Sequence, residues 1–320
     1  MNKIAVLTSG GDSPGMNAAI RAVVRCGLDK GMTVYGIERG YEGLIDGDFR
    51  LMDRYSVGDI MHRGGTVLKS ARSARFMEDR WVDHAANILR TYGVEGLVII
   101  GGNGTFRGGL ELARRGITVM GVPGTIDNDL GYTDYTIGFD TAVTTVLDAI
   151  SKLRDTSSSH NRTTVVEVMG RECGDIALFA GLAGGAEYVL VPEKPLDLNA
   201  LCVKILDGMS KGKLHSIIIK AEGADIESDE LVKYVQEHTG KDTKLVVLSY
   251  LQRGGSPTLN DRNLATLCGA KAVDLLHGDA PSKAIGTVDN HIISVDLEEA
   301  LHMKREFKED MYDLIDVLSK

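Results

Sequence analysis

Ile4-Ala5-Val6-Leu7-Thr8-Ser9-Gly10-Gly11-Asp12-Ser13-Pro14-Gly15 reads as a short buried strand that runs through a glycine-rich turn into a helix. Four consecutive apolar residues suit a strand covered on both faces. From Asn17 to Leu28, Ala18, Ile20, Val23 and Val24 recur at helical spacing. Such a turn favours anions, because a helix N-terminus presents unpaired N–H groups and the positive end of its dipole. Gly10, Gly11 and Gly15 permit the close backbone approach that phosphate contact needs. On its own the stretch is more often an ordinary βα connection.

The pattern repeats. Val34–Ile37, Leu97–Ile100 and Val119–Val122 read as strands, and Thr141 to Leu153, with Val143, Val146, Leu147 and Ile150 apolar, reads as a helix. Leu97–Ile100 runs into a second glycine loop, Gly101-Gly102-Asn103-Gly104-Thr105. Val119–Val122 runs into Pro123-Gly124-Thr125-Ile126-Asp127-Asn128-Asp129, where two carboxylates bracket an amide. Strand, loop and helix in alternation define a doubly wound α/β lobe, whose ligands bind beyond the carboxyl ends of the strands. Both glycine loops and the aspartate pair fall at such ends. Together they point to phosphoryl transfer, with glycines admitting a polyphosphate and an Asp placed to accept a proton from an attacking hydroxyl. A lone Asp in such a run would otherwise be a turn residue. Thr163–Val168, Tyr188–Val191, Ser216–Ile219 and Leu245–Leu248 form a second strand series, with helices at Leu198–Met209 and Ser228–His238, so a second α/β lobe is expected.

The composition agrees with two lobes: 320 residues, 43% of them hydrophobic, exceed what one core usually organises. A net charge of −9 argues against nucleic acid as the main partner, since phosphate-backbone affinity needs a basic surface. Cys26, Cys173, Cys202 and Cys268 lie far apart without metal-ligand spacing and read as reduced core thiols. No stretch has the length of a membrane span or a signal peptide, so a cytoplasmic protein is expected. The P-loop, the GxGxxG turn and the protein-kinase motifs are absent.

Thr8 to Ile20 (TSGGDSPGMNAAI), Pro123 to Asp129 (PGTIDND), Asp155 to His160 (DTSSSH), Val166 to Gly170 (VEVMG) and Gln252 to Pro257 (QRGGSP) together resemble the bacterial ATP-dependent 6-phosphofructokinases. The resemblance spans nearly the whole chain. It implies two Rossmann-like three-layer α/β lobes: an ATP-binding lobe of residues 1–138 with about 252–302, and a sugar-phosphate lobe of 139–251 with about 303–320. It implies a kinase that moves the γ-phosphate of ATP to the 1-hydroxyl of fructose 6-phosphate, with Mg²⁺ as cofactor, in a homotetramer.

By resemblance, Asp127 is the base, Thr125 contacts the transferred phosphoryl group, and Arg72 and Arg171 neutralise its charge. Gly11, Arg72, Ser73, Gly102, Asn103, Gly104, Thr105 and Gly108 fall at ATP positions. Thr125, Ile126, Asp127, Arg162, Met169, Gly170, Arg171, Glu222, Lys244, Tyr250 and Arg253 fall at sugar-phosphate positions, Arg162 and Lys244 being supplied by a neighbouring subunit. Gly104 and Gly124 would leave room for ATP where pyrophosphate-using relatives carry Asp and Lys. Asn103 stands where the family usually has an Asp that helps hold Mg²⁺, with Asp129 as a further metal candidate. Lys244 stands for the usual Arg and Tyr250 for the usual His. These departures leave open a same-family kinase for tagatose 6-phosphate or sedoheptulose 7-phosphate, or a nucleotide-binding regulatory subunit.

An effector site is also legible. Arg21 and Arg25 stand four apart on one helical face, and Lys211, Lys213 and His215 alternate so that an extended segment would aim them together, a local anion trap in an acidic chain. Either group alone reads as a solvated basic face. The resemblance adds Arg54, Tyr55, Asp59, Arg154, Gly185 and Glu187, positions where the family binds ADP or phosphoenolpyruvate, with Glu187 sensing metal on the nucleotide.

Overall fold

The computed structural model describes residues 1–319. The chain divides into two compact units, Met1–Thr141 with Arg253–Arg305, and Ala142–Gln252 with Glu306–Lys320.

In chain order the first unit holds β1 (Lys3–Thr8), α1 (Met16–Asp29), β2 (Thr33–Ile37), α2 (Gly40–Asp46), β3 (Phe49–Leu51), α3 (Asp79–Tyr92), β4 (Gly96–Gly101), α4 (Asn103–Arg114) and β5 (Thr118–Pro123). Helix α5 (Phe139–His160) begins in this unit, and its later turns belong to the second. There follow β6 (Thr163–Val168), α6 (Asp175–Gly184), β7 (Tyr188–Leu190), α7 (Leu198–Ser210), β8 (Ser216–Ala221), α8 (Ser228–Thr239) and β9 (Thr243–Val247). The chain then returns to the first unit with α9 (Leu259–His277), β10 (Lys283–Val288), β11 (His291–Asp296) and α10 (Leu297–His302), and ends in the second with α11 (Glu309–Leu318).

The first unit is a seven-stranded sheet in the order β11-β10-β5-β4-β1-β2-β3, parallel at its centre with antiparallel edges at β3 and β11. The interiors of its central strands are apolar because both faces are covered. Val6, Val98 and Met120 pack on one face with Ile20, Val23 and Val24 of α1 and with Ala265, Cys268 and Ala272 of α9. Ala5, Leu7, Leu97 and Ile99 pack on the other with Leu44, Ala85, Leu89, Phe106 and Leu112. The second unit has a four-stranded parallel sheet, β7-β8-β6-β9. Val165 and Ile218 meet Leu201, Ile205, Leu231 and Val235 of α7 and α8 on one face. Gly181 of α6 lies against Val189 of β7. The expected α/β layering is therefore present in each unit.

Several elements differ from their sequence reading. Helix α5 is far longer than Thr141–Leu153, because its polar second half, Arg154 to His160, stays helical. Strand β9 starts at Thr243 rather than Leu245, since its register to β6 begins at Thr163↔Thr243, and it ends before Leu248. Strands β3, β10 and β11 carry no clean apolar run and escaped the pattern.

Close packing in the first unit depends on missing side chains. A Cβ built on Gly121 would meet the Phe106 ring at 2.8 to 3.1 Å. Gly121→Ala should therefore lower stability by about 1–3 kcal/mol through overpacking, read as a reduced denaturation midpoint at unchanged m-value.

Candidate active site

In the first unit the carboxyl ends of β1, β4 and β5 each open into a loop. Gly10 and Gly15 take positive φ of 83° and 106°, turning the chain sharply between β1 and α1. Gly102 is the N-cap residue of α4, so Asn103, Gly104 and Thr105 form its first turn, where unpaired N–H groups and the helix dipole favour an anion. The space where a side chain of Gly104 would go is open. Thr105 is buried, and its hydroxyl donates to Ser9 O at 3.0 Å, stapling the two glycine loops together. Tyr41 Oη donates to Thr105 O at 2.5 Å, and its ring fills the space beside Gly108.

Thr125 and Asp127 follow the end of β5. The Asp127 side chain is 1% exposed, and its backbone N–H donates to Thr125 Oγ1 at 3.2 Å, leaving that hydroxyl its own proton to donate. Asn128 takes a left-handed φ of 54°, uncommon for a residue with a side chain, and such outliers cluster at functional turns. Asn103 Nδ2 donates to Asp129 Oδ2 at 3.1 Å, while Asp129 Oδ1 is buried without a hydrogen-bond partner among the described residues. Arg72 is exposed and has no ion-pair partner among the described residues. Ser73 Oγ accepts from Phe76 N at 3.1 Å.

Five expected residues read differently in place. Ile126 is fully buried, so only its backbone can face a ligand. Gly124 does not open space for a nucleotide: a Cβ there would lie 2.9 Å from Ile100 Cγ2 and 3.2 Å from Met16 Cε, so the residue is small to let β5 pack. Arg253 belongs to the first unit, where its Nη1 donates to Asp12 O at 3.1 Å and its guanidinium occupies the side-chain space of Gly11. Ser73 uses its hydroxyl to cap its own turn, and Thr105 uses its hydroxyl to staple its loop to the one after β1.

In the second unit, Gly170 N and Arg171 N both donate to Glu222 Oε1, at 3.2 and 2.9 Å. Arg171 is exposed with a φ of 53°, and Gly170 has a φ of 136°. Gly223 makes this turn possible, since a Cβ there would lie 1.9 Å from Arg171 O. Met169 N donates to Gln252 Oε1 at 3.2 Å. Arg162 Nε donates to Asp242 Oδ2 at 2.6 Å, and Lys244 Nζ lies 2.8 Å from Asp242 Oδ1, so one carboxylate holds both cations. The Lys244 ammonium, and after it the Arg162 guanidinium, keep Asp242 below the usual carboxylate range. Asp242 and Gln252 are not among the expected site residues, although Gln252 opens the QRGGSP motif; each holds residues that are. Tyr250 is 77% exposed, on a short 3₁₀ turn.

The phosphofructokinase family model matches residues 3–276. The chain is 57% identical over 319 residues, covering all of both proteins, to the ATP-dependent 6-phosphofructokinase of Clostridium tetani (strain Massachusetts / E88). The chain belongs to the phosphofructokinase family. It is 55% identical over 320 residues to the ATP-dependent 6-phosphofructokinase of Clostridium botulinum (strain Loch Maree / Type A3), again at full length. The phosphofructokinase structure from Saccharomyces cerevisiae superposes with a TM-score of 0.90 at 34% identity, over 100% of this chain and 48% of that one, so the chain spans about half the yeast polypeptide. A pyrophosphate-dependent phosphofructokinase from Marinobacter aquaeolei, with a TM-score of 0.86 at 22% identity over 99% and 91% of the two chains, shares the fold.

The residues expected at an effector site, from their spacing or from the resemblance, divide between the two units. In the second, Arg154 donates to Gly184 O and Gly185 O at 2.7 and 2.8 Å. Buried Glu187 accepts from Ile217 N and has Lys213 Nζ 2.6 Å from its Oε1. Lys211, Lys213 and His215 do not form the expected extended row. Gly212, at a φ of 88°, turns the chain after α7, Lys211 pairs with Asp207 at 2.7 Å, and β8 begins only at Ser216. In the first unit Arg21 and Arg25 share a face of α1, Arg54 reaches Asp29 at 3.5 Å, Asp59 has a φ of 50°, and Tyr55 is 91% exposed. Among the described residues no helix is long and apolar enough to cross a membrane, and no three His, Cys, Asp or Glu side chains are grouped to hold a metal.

Thr105→Val should cost about 1–3 kcal/mol of stability, because the buried Ser9 carbonyl loses its donor. Urea unfolding of the variant beside the parent chain measures this.

Proposed function

We propose that the chain phosphorylates fructose 6-phosphate at its 1-hydroxyl with ATP, giving fructose 1,6-bisphosphate and ADP. The observation that carries the reading is the placement of Thr125 and Asp127 at the end of β5, next to the glycine-opened N-terminus of α4, in a chain 57% identical at full length to an ATP-dependent 6-phosphofructokinase.

In this reading the first unit binds ATP and the second the sugar phosphate. The amides at Gly102, Asn103 and Gly104 cradle the nucleotide phosphates, with the open side of Gly104 toward the ligand and Gly11, Ser73 and Gly108 along the binding surface. Asp127 takes the proton from the sugar hydroxyl as its oxygen attacks the γ-phosphorus; the bond to the ADP oxygen breaks and ADP leaves with the electron pair. Thr125 donates to the transferring group. Arg72 and Arg171 stabilise the negative charge that the transition state spreads over its oxygens. Arg162, Lys244 and Arg253 supply cations for the sugar phosphate, and Met169, Gly170, Glu222 and Tyr250 shape its pocket. Because Glu222 binds two backbone amides of the Arg171 turn, it also fixes where that guanidinium starts.

Magnesium fits the donors present. It asks for one or two protein oxygens when phosphates and water supply the rest, and Asp129 Oδ1 is buried without a hydrogen-bond partner among the described residues. Asp129, with Asn103 beside it, would hold the ion, whose chemistry is to neutralise phosphate charge. The amide at 103 gives one negative charge fewer than a carboxylate would.

We further infer a homotetramer regulated by ADP or phosphoenolpyruvate at the cationic groups around Arg154, Glu187 and Lys213 and along α1. The edge strand β9, with Val247 exposed at its end and Tyr250 and Leu251 exposed after it, supports a covering subunit. The four unpaired cysteines support a reducing, cytoplasmic setting.

The test is fructose 1,6-bisphosphate formation from Mg-ATP and fructose 6-phosphate. Asp127→Ser should reduce kcat by about 10²–10⁴-fold, the range for losing a general base, with the fold intact by circular dichroism. No turnover by the parent chain with this acceptor, but turnover with tagatose 6-phosphate or sedoheptulose 7-phosphate, would reassign the acceptor. Asn103→Asp should lower the Mg²⁺ concentration for half-maximal rate several-fold; an unchanged Mg²⁺ titration would show that position 103 does not contact the metal.

A further inference from the structure

Asp261 lies outside every group of residues discussed so far, yet it is 1% exposed and accepts three hydrogen bonds. It sits in the first turn of α9. Its Oδ1 accepts from Gly138 N at 2.8 Å, and its Oδ2 accepts from Thr141 N at 2.8 Å and Thr141 Oγ1 at 2.5 Å. These are orphan donors at the start of α5, which Asp261 caps from another helix. The arrangement is reciprocal, because Thr141 Oγ1 accepts from the N–H of Thr258, the N-cap of α9, at 3.0 Å. Thr258 and Asp261 have capping-box spacing, but the carboxylate has turned away from its own helix to serve its neighbour.

The segment leading into that cap runs beside the Thr125–Asp129 loop. Ile137 N donates to Pro123 O at 2.8 Å. Thr136 Oγ1 donates to Thr125 O at 2.6 Å, and Thr136 N donates to Asn128 Oδ1 at 2.9 Å. Asn128 Nδ2 donates in turn to Asp134 O at 3.2 Å. On the other side, the side-chain space of Gly138 is filled by Ser13 and that of Gly15 by Ile137 and Asp261. The carboxylate thus anchors the strip that hydrogen-bonds Thr125 and Asn128, on either side of Asp127, and backs onto the Gly10–Gly15 loop.

We propose that Asp261 is a positioning residue for the reaction: its carboxylate, through Gly138, Thr141 and Thr136, holds Thr125 and Asp127 in reactive geometry. This rests on the proposed kinase reading. The role requires an acceptor at both oxygens, so an amide or a protonated carboxyl at this place turns a donor toward backbone N–H groups and slackens the strip.

The ionisation of Asp261 lets positioning be separated from folding. Burial, the largest influence, pushes its carboxyl up to about 6, against the lowering effect of the Thr141 and Gly138 hydrogen bonds. Asp140, on α5, is the charged side chain that raises it further; the loop before α1 presents Gly15, and Arg262, next in α9, turns to Pro257 O and Ser256 Oγ. A carboxyl whose folded value is raised adds stability to the fold when it is protonated, so its contribution grows as pH falls through about 6 toward the ordinary carboxylate value and is lost above it. A purely structural Asp261 would therefore not weaken the protein at pH 5.5. A positioning Asp261 lowers kcat there.

The experiment compares the parent chain with Asp261→Asn and Thr136→Val for sugar-phosphate phosphorylation. For Asp261→Asn the expectation is a roughly tenfold lower kcat, equivalent to about 1.4 kcal/mol of barrier, with KM for both substrates within about twofold. A kcat step near pH 6 should be present in the parent and missing in the variant, and amide exchange should quicken across residues 123–138. Thr136→Val, which cuts the same strip at its far end and leaves the cap intact, should reproduce the kcat loss and keeps the test valid if Asp261→Asn does not fold. An active parent whose kcat is unchanged by both substitutions would overturn the positioning role, as would a loss expressed only in KM. An inactive parent would instead sink the kinase reading.

Discussion

The site depends on two backbone hydrogen bonds that tie three loops to one another before any side chain is counted. Ser9 N donates to Ile100 O at 3.1 Å, and Gly124 N donates to Gly101 O at 3.0 Å. They extend the parallel ladder of β1, β4 and β5 one step past the strands, so the three loops leave the sheet side by side. Loops are otherwise the mobile part of an α/β unit, and here they inherit the rigidity of the sheet. The cost is steric: a Cβ at Gly101 would lie 2.2 Å from Thr105 Oγ1 and 2.6 Å from Ser9 O, so glycine is required where the ladder meets the loop.

From that constraint the chemistry follows. With the ladder extended, the N-terminus of α4 and the Thr125–Asp129 run lie alongside, which brings a positive helix end, an amide–carboxylate pair at Asn103 and Asp129, and a buried carboxylate at Asp127 into one neighbourhood. The second unit solves a similar problem differently. There the left-handed turn at Gly170 and Arg171 is held by the Glu222 carboxylate accepting two amides, and Gly223 lets the chain pass within contact of Arg171 O. Electrostatics thus hold one loop, and main-chain ladder geometry the other.

Much of this was legible from residues alone. The interiors of β1, β4 and β5 are apolar and each strand runs into a glycine-containing loop, so both their burial and the loops after them can be read directly. Strands β3, β10 and β11 were illegible because edge and near-edge positions tolerate charged and small residues, and their pairing is settled by neighbours far away in sequence. The purpose of each glycine was only partly readable: Gly104 does face open space, whereas Gly124 and Gly108 are small because Ile100, Met16 and Tyr41 press on them. The row of Lys211, Lys213 and His215 looked like a strand by its alternation, but Gly212 turns the chain before any ladder forms.

What the sequence determined by itself was the class of fold, the family and the residues capable of the chemistry, because hydrophobic period, glycine placement and motif order are local properties of the chain. What only the tertiary structure decided was how each of those residues is spent. Thr105 staples, Ile126 is core, Arg253 lies over Gly11, and Arg162 and Lys244 share Asp242. Asp261, with nothing in its local pattern beyond an ordinary capping box, caps a helix 120 residues away. Hydrogen-bond partners and excluded volume are set by contacts between distant segments, and no spacing along the chain encodes them.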